Sequence, residues 1–141
     1  MPDSRDKKEV RSSAFHATRA SHLLESAEDY TELVADLIEE KGEARTVEIA
    51  RQLGISHVTA LRTIKRLQRE GYLSTYPHKP VELTEKGAKL AKFCKKRHQV
   101  ILEFLIAIGV PKRFAEIDAE GVEHHISKHT LQAMKKHLKK I

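Results

Sequence analysis

Three separated segments carry side chains able to bind a divalent cation. Asp29 and Glu32 stand at i and i+3, so a helix puts them on one face. Glu120, Glu123 and His124 stand at i, i+3 and i+4 in EGVEHH, again one face, and His98 follows Cys94 by one turn. If these faces converge, four carboxylates and two imidazoles share a site, and two divalent cations balance the negative charge. Carboxylate oxygen with imidazole nitrogen suits manganese or ferrous iron, with cobalt and zinc as substitutes. The absence of a thiolate or thioether ligand disfavours copper(I), and Cys94 reads as a small core hydrophobe.

Each piece also has a plain structural reading. Two acids near a helix start complement the helix dipole, and a lone histidine beside an apolar stripe is more often packed and hydrogen-bonded. The E-x-x-E-H patch is more demanding, because acids gathered near a core need a compensating charge. His125 is turned about a quarter-circle from the cluster, which suits packing or support of a ligand. His16, His22, His129 and His137 have no companions at ligand spacing and are expected at the surface.

A second constellation points to nucleic acid. From Ser56 to Glu70 the chain carries Arg62, Lys65, Arg66 and Arg69 against a single acid. Ser56, His57, Thr59 and Ala60 at the start of that stretch are small or polar enough to meet base edges. Arg62, Lys65 and Arg66 would hold phosphates. A basic helix face alone is often just solvated. Here, however, a short helix with Thr46 as its N-cap (Val47 to Leu53), a Gly54 turn and the Ser56-capped basic helix make a helix-turn-helix. Tyr72 to Tyr76 and Val81 to Leu83 then predict a hairpin wing, whose turn offers His78 and Lys79 to DNA.

Helices must position both sets. Residues 1–27 are expected to be an arm, mobile or partly helical, with a possible helix from Ala14 to Ala27. A firm helix is expected from Glu28 to Lys41, with Tyr30, Leu33, Val34, Leu37 and Ile38 as its buried stripe and Gly42 as its stop. Thr84 should cap a long helix to about Ile108, with His98 inside it. A helix from Lys112 to Ile126, broken near Ile117, and a Ser127-capped helix to Lys140 complete the chain. The expected fold is mainly α: a winged helix-turn-helix domain over residues 28–84, then a helical domain over 85–141.

The composition agrees. The chain has 141 residues, 40% hydrophobic, 33% charged and 5% aromatic, with a formal net charge of +6. The scarcity of aromatics argues against a β-sandwich or a stacking platform for single strands. One cysteine excludes an internal disulfide framework and suits a reducing compartment. The charged start is no secretory signal, and no apolar run approaches the roughly 20 residues of a membrane span. A cytoplasmic protein is expected.

The chain resembles the manganese transport regulator branch of the diphtheria-toxin-repressor-like family of metal-dependent transcription regulators. The resemblance is carried by EDYTELVADLIEEKGEAR at 28–45, the helix-turn-helix at 46–71, LTEKG at 83–87, RHQVILEFLIAIGV at 97–110 and DAEGVEHHIS at 118–127. It covers nearly everything from Glu28 onward. It implies a homodimer that binds double-stranded operator DNA through the winged helix and pairs through the later helices. It also implies a two-metal site between those parts, with Asp29, Glu32, His98, Glu120, Glu123 and His124 as ligands. In the iron-sensing branch a methionine and a cysteine stand where this chain has Asp29 and Glu123, so the resemblance leans to manganese. The chain departs from shorter members by its arm, and no SH3-like domain of the longer iron-sensing relatives is expected after Ile141.

The expected function is a manganese-activated repressor of manganese uptake genes. A ferrous-iron-responsive relative is the alternative, as is a winged-helix regulator with an organic effector. A di-metal enzyme is disfavoured: such sites draw ligands from four long packed helices, and here one contributing helix leads into a winged helix-turn-helix. Neither a membrane partner nor a small organic substrate is expected.

Overall fold

The first helix, α1 (Ser4–Lys41), spans 38 residues, about 57 Å at 1.5 Å per residue. The computed structural model of the chain describes residues 4–140, and describes the backbone alone at 4–10 and 12–21. The helix start expected near Glu28 is thus not where α1 begins. Neither Gly nor Pro interrupts the chain between Ser4 and Lys41, so no helix breaker stops α1 from extending ahead of the apolar stripe. Gly42, with φ +84°, ends it. Tyr30, Val34 and Leu37 are buried and Leu33 packs beside them, whereas Ile38, expected in that stripe, is 38% exposed.

Helix α2 (Thr46–Leu53) starts from Arg45 as N-cap, so Thr46 is the first helical residue and caps nothing. Gly54 turns the chain in the left-handed region (φ +69°), and Ile55 N–H donates back to Ala50 O at 3.0 Å. Helix α3 (His57–Arg69) is capped as expected, Ser56 Oγ accepting from Thr59 N. The wing is β1 (Leu73–Ser74) paired antiparallel with β2 (Glu82–Leu83), in register Leu73 with Leu83. A bridge between Ala44 and Val81 ties the wing to the link before α2.

Thr84 caps α4 (Glu85–Ala107) by accepting from Gly87 N, while its own hydroxyl faces Gly71 O and Tyr72 O. Any residue larger than glycine at 87 would place Cβ 2.1 Å from Tyr72 O. This close approach seats the wing on α4. The last two helices are α5 (Lys112–Val122) and α6 (Lys128–Lys139). Helix α5 has no break at Ile117, and it ends at Val122 rather than Ile126.

Two cores result. Ala27, Tyr30, Val34 and Leu37 of α1 pack with Ile49, Ile64, Leu67, Leu73 and Val81. Ile101, Ala119 and Leu131 form the second, flanked by Val100, Leu105, Ile126 and Met134. Helix α4 serves both, through Leu90 in the first and Ile101 in the second. Among the described residues no helix is long and apolar enough to cross a membrane.

Candidate metal centre and nucleic-acid interface

Where α1 passes the end of α5, ligand-type side chains from three elements meet. Asp29 Oδ1 lies 3.3 Å from His124 Nε2, and Glu123 Oε1 lies 3.5 Å from the same nitrogen. Glu123 Oε2 is 2.6 Å from His98 Nδ1 of α4. A cavity of about 520 Å³ is walled by Asp29, Glu32, Glu120, Glu123 and His124, together with Glu25. A second, of about 560 Å³, adjoins it toward α4 and is lined by Glu32, His98, Glu120 and Glu123. All six residues singled out from the sequence therefore line one or other of two adjoining cavities. Glu120 is the loosest of them: it is exposed and, among the described residues, forms no hydrogen bond or ion pair.

The local backbone explains the convergence. Glu120 lies in α5, but Glu123 is its C-cap and His124 follows in a turn. Glu123 keeps helical dihedrals (φ −57°, ψ −31°) and donates N–H to Ala119 O at 3.0 Å. The expected spacing thus survives although the helix has ended.

The electrostatics suit a cation. Burial pushes Glu32 up to about 6, with the neighbouring Glu123 charge adding to the effect. Asp29 is raised as well, first by burial, while His124 opposes the shift and nearby acids reinforce it. Glu32 Oε1 is buried with no hydrogen-bond partner, an uncommon state for a carboxylate oxygen. An orphaned oxygen, clustered acids and a purely oxygen and nitrogen donor set fit a divalent cation.

Sequence reasoning missed the layer behind these side chains. Glu28 is 2% exposed; its Oε2 accepts from the Arg97 guanidinium and from the Cys94 thiol at 3.1 Å. Arg97 also stands 3.4 Å from His124 Nδ1. Cys94 is buried as expected, and burial together with the Glu28 bond raises its thiol well above the ordinary range. Adjacency was the available signal, since Glu28 precedes Asp29 and Arg97 precedes His98. Glu25 was missed too, although it sits one turn before Asp29. His125 does not pack: it is exposed, its Nε2 3.9 Å from Glu25 Oε2. His22, His129 and His137 are exposed, and the side chain of His16 lies outside the described residues.

Away from these residues, α3, the start of α2 and the wing frame a hollow of about 640 Å³. His57, Lys65 and Lys79 line it, together with Arg45, Gln68 and Tyr76, which the sequence reading did not single out. Arg45 Nη1 donates to His78 O at 3.3 Å and Gln68 Nε2 to Thr75 O at 3.4 Å, so both hold the wing. His78, after Pro77, has φ +63°, which fits the third position of a type II turn. Ser56, Thr59 and Arg62 are exposed on α3, with Ser56 Oγ donating to Thr59 Oγ1 at 2.9 Å. Two expectations need correction. Ala60 is fully buried, because it shares a stripe with Ile64 and Leu67. Arg66 is half-buried, its Nε and Nη2 enclosed without a hydrogen-bond partner and its Nε 3.8 Å from Glu70 Oε1 in an ion pair.

A winged helix-turn-helix joined through α1 and α4 to a carboxylate–imidazole cluster defines a class, and comparison with known proteins agrees. Residues 22–81 match the iron dependent repressor N-terminal DNA binding domain, and residues 84–141 match the metal binding and dimerisation domain. The chain belongs to the iron-dependent repressor family, on its manganese-responsive, diphtheria-toxin-repressor-like side, a family of transcription regulators rather than enzymes. It is 44% identical over 121 residues to the transcriptional regulator MntR of Escherichia coli O6:H1, covering 86% of this chain and 78% of that protein. It is 38% identical over 102 residues to the HTH-type transcriptional regulator MntR of Bacillus subtilis (strain 168), covering 72% of each. Among solved structures, a manganese-dependent transcriptional repressor in complex with manganese matches with TM-score 0.71 at 26% identity, over 80% of this chain and 52% of the other. ScaR with bound Zn2+ matches with TM-score 0.70 at 25% identity, over 80% and 53%. The chain spans about half the length of those solved structures.

Proposed function

We propose that this chain is a manganese-dependent DNA-binding transcription regulator, a cytoplasmic repressor of manganese uptake genes. Asp29, Glu32, His98, Glu120, Glu123 and His124 would hold Mn2+, two ions per chain, with Fe2+, Co2+ and Zn2+ as chemically acceptable substitutes. A bound divalent cation supplies the positive charge that the clustered carboxylates lack. The observation that carries this reading is the double duty of α1. The helix that presents Asp29 and Glu32 to Glu123 and His124 also buries Val34 and Leu37 in the same core that holds Ile64 and Leu67 of α3 and Leu73 of the wing. Fixing Asp29 and Glu32 against the end of α5 therefore restricts where α3 can stand. Restriction of this kind raises DNA affinity by a coupling free energy of about 1–3 kcal/mol in typical allosteric systems.

Pairing of two chains would set two α3 helices about one DNA turn apart. Ile106, Ile108, Phe114 and Ile117 are all exposed around the end of α4 and along α5, apolar surface suited to the dimer contact. Ser56, His57, Thr59, Arg62, Lys65 and Lys79 would face the operator.

The test is fluorescence anisotropy of labelled DNA from upstream of a manganese transporter gene, with excess manganese and then with chelator. Tight, salt-sensitive binding that collapses on chelation is expected. Equal binding in both conditions would overturn the metal-dependent reading.

A further inference from the structure

We infer that Glu25 is an additional carboxylate ligand of the metal centre, supplied by the part of α1 that precedes the motif carrying Asp29 and Glu32. This rests on the reading of the cluster as a metal site and adds a residue to it.

Glu25, Asp29 and Glu32 stand at i, i+4 and i+7 of one uninterrupted helix, so they form a single stripe. Glu25 lines the same cavity as Asp29, Glu32, Glu123 and His124. One ligand atom each of Glu25, Asp29 and His124 lie within 4.8 Å of one another. Two donors about 2.1 Å from one ion stand up to about 4.2 Å apart, so a small torsion of the Glu25 side chain completes the set. No lysine or arginine neutralises Glu25 among the described residues, and its ion-pair partner there is His125 at 3.9 Å. Arg97, the nearby guanidinium, is already engaged with Glu28.

A second feature points to a cation in the same space. Glu32 lines this cavity, and its Oε1 is buried without a hydrogen-bond partner. The opening therefore collects an orphaned oxygen, further carboxylates and an imidazole. A further hard oxygen donor favours six-coordinate manganese over zinc, which settles for four ligands. Glu25 thus bears on metal choice as well as affinity.

The test compares the full chain with Glu25→Gln, Glu25→Asp, Asp36→Asn and Glu123→Gln. Binding of Mn2+ is followed by the electron paramagnetic resonance of the free ion. Coordination is followed by the visible absorption of the Co2+-loaded proteins, and folding by circular dichroism. Glu25→Gln is expected to stay folded, to weaken manganese about tenfold, the lower end of the range for losing a supporting group, and to alter the cobalt spectrum. Zinc affinity should fall less than manganese affinity, and Glu25→Asp should recover part of the loss. Asp36→Asn removes a charge from the rim of the same cavity and should leave the cobalt spectrum unchanged. Unchanged affinity and spectrum in Glu25→Gln, with manganese lost in Glu123→Gln, would overturn the role of Glu25 alone. Equal effects of Asp36→Asn and Glu25→Gln would also overturn it, by reducing the effect to the general field. Failure of the unaltered chain to bind manganese would overturn the metal-site reading itself.

Discussion

His98 Nδ1 lies 2.6 Å from Glu123 Oε2, a bond that crosses from the middle of α4 to the cap of α5. Glu123 thereby forms a wall common to both cavities and stands between the two imidazoles of the site. Glu123→Gln preserves shape and one acceptor oxygen but removes the charge. Manganese affinity should fall by about tenfold or more. Metal-free stability should not fall, because Glu32 loses a like-charged neighbour. Calorimetric titration with Mn2+ beside a urea melt of the metal-free protein checks both halves.

The buried pair behind the site should behave differently. Glu28 and Arg97 have side chains only 2% and 8% exposed, so removing one charge strands the other. Arg97→Met should cost about 3–5 kcal/mol of stability, whereas Glu28→Leu combined with Arg97→Met should recover most of that loss. Urea unfolding of the two variants measures the difference. Equal destabilisation by the single and the double change would show that packing, not charge, dominates there.

These two sets of residues differ in how legible they were. Asp29, Glu32, Glu120, Glu123 and His124 could be singled out because helical spacing puts ligand types on shared faces; α1 is helical at Asp29 and Glu32, and Glu123 keeps helical dihedrals although α5 ends at Val122. Glu28 and Arg97 interact across 69 positions, and no local pattern pairs two residues so far apart. The start of α1 was hidden for another reason: the boundary was set by apolar periodicity, which is weak in the sequence before Glu28. Ala60 shows the converse error, since the Ala60, Ile64, Leu67 stripe was visible but the residue was judged by its size.

Glu32 gives the metal-free protein a characteristic pH response. Its carboxyl titrates near 6 in the folded chain against an ordinary 4.5. The folded state therefore binds more protons than the unfolded state between those values. The stabilising contribution of protonated Glu32 is complete below about pH 4.5 and is lost as pH rises through about 6. Asp29, also raised, acts in the same direction. Metal-free urea midpoints should fall less over this range in Glu32→Gln than in the unaltered chain. Manganese binding at pH 6 should release about half a proton from Glu32, visible as buffer-dependent heats in calorimetry. Heats independent of the buffer would contradict the raised carboxyl.

At the proposed DNA face the residue to test is Lys65, exposed on α3 and lining the hollow shared with the wing. It forms no part of either core and lines neither of the two carboxylate cavities, so Lys65→Ala should leave folding and manganese affinity unchanged. A lysine that neutralises one phosphate releases its condensed counterion on binding. Its loss should weaken manganese-loaded binding by a similar factor on different DNA sequences. It should also lower the slope of log affinity against log salt by about 1. Anisotropy titrations at several salt concentrations, on operator and on unrelated DNA, provide both numbers. A loss confined to the operator, with the salt slope unchanged, would instead assign Lys65 to a base edge. That outcome would turn the α3 surface about its axis relative to the arrangement proposed above.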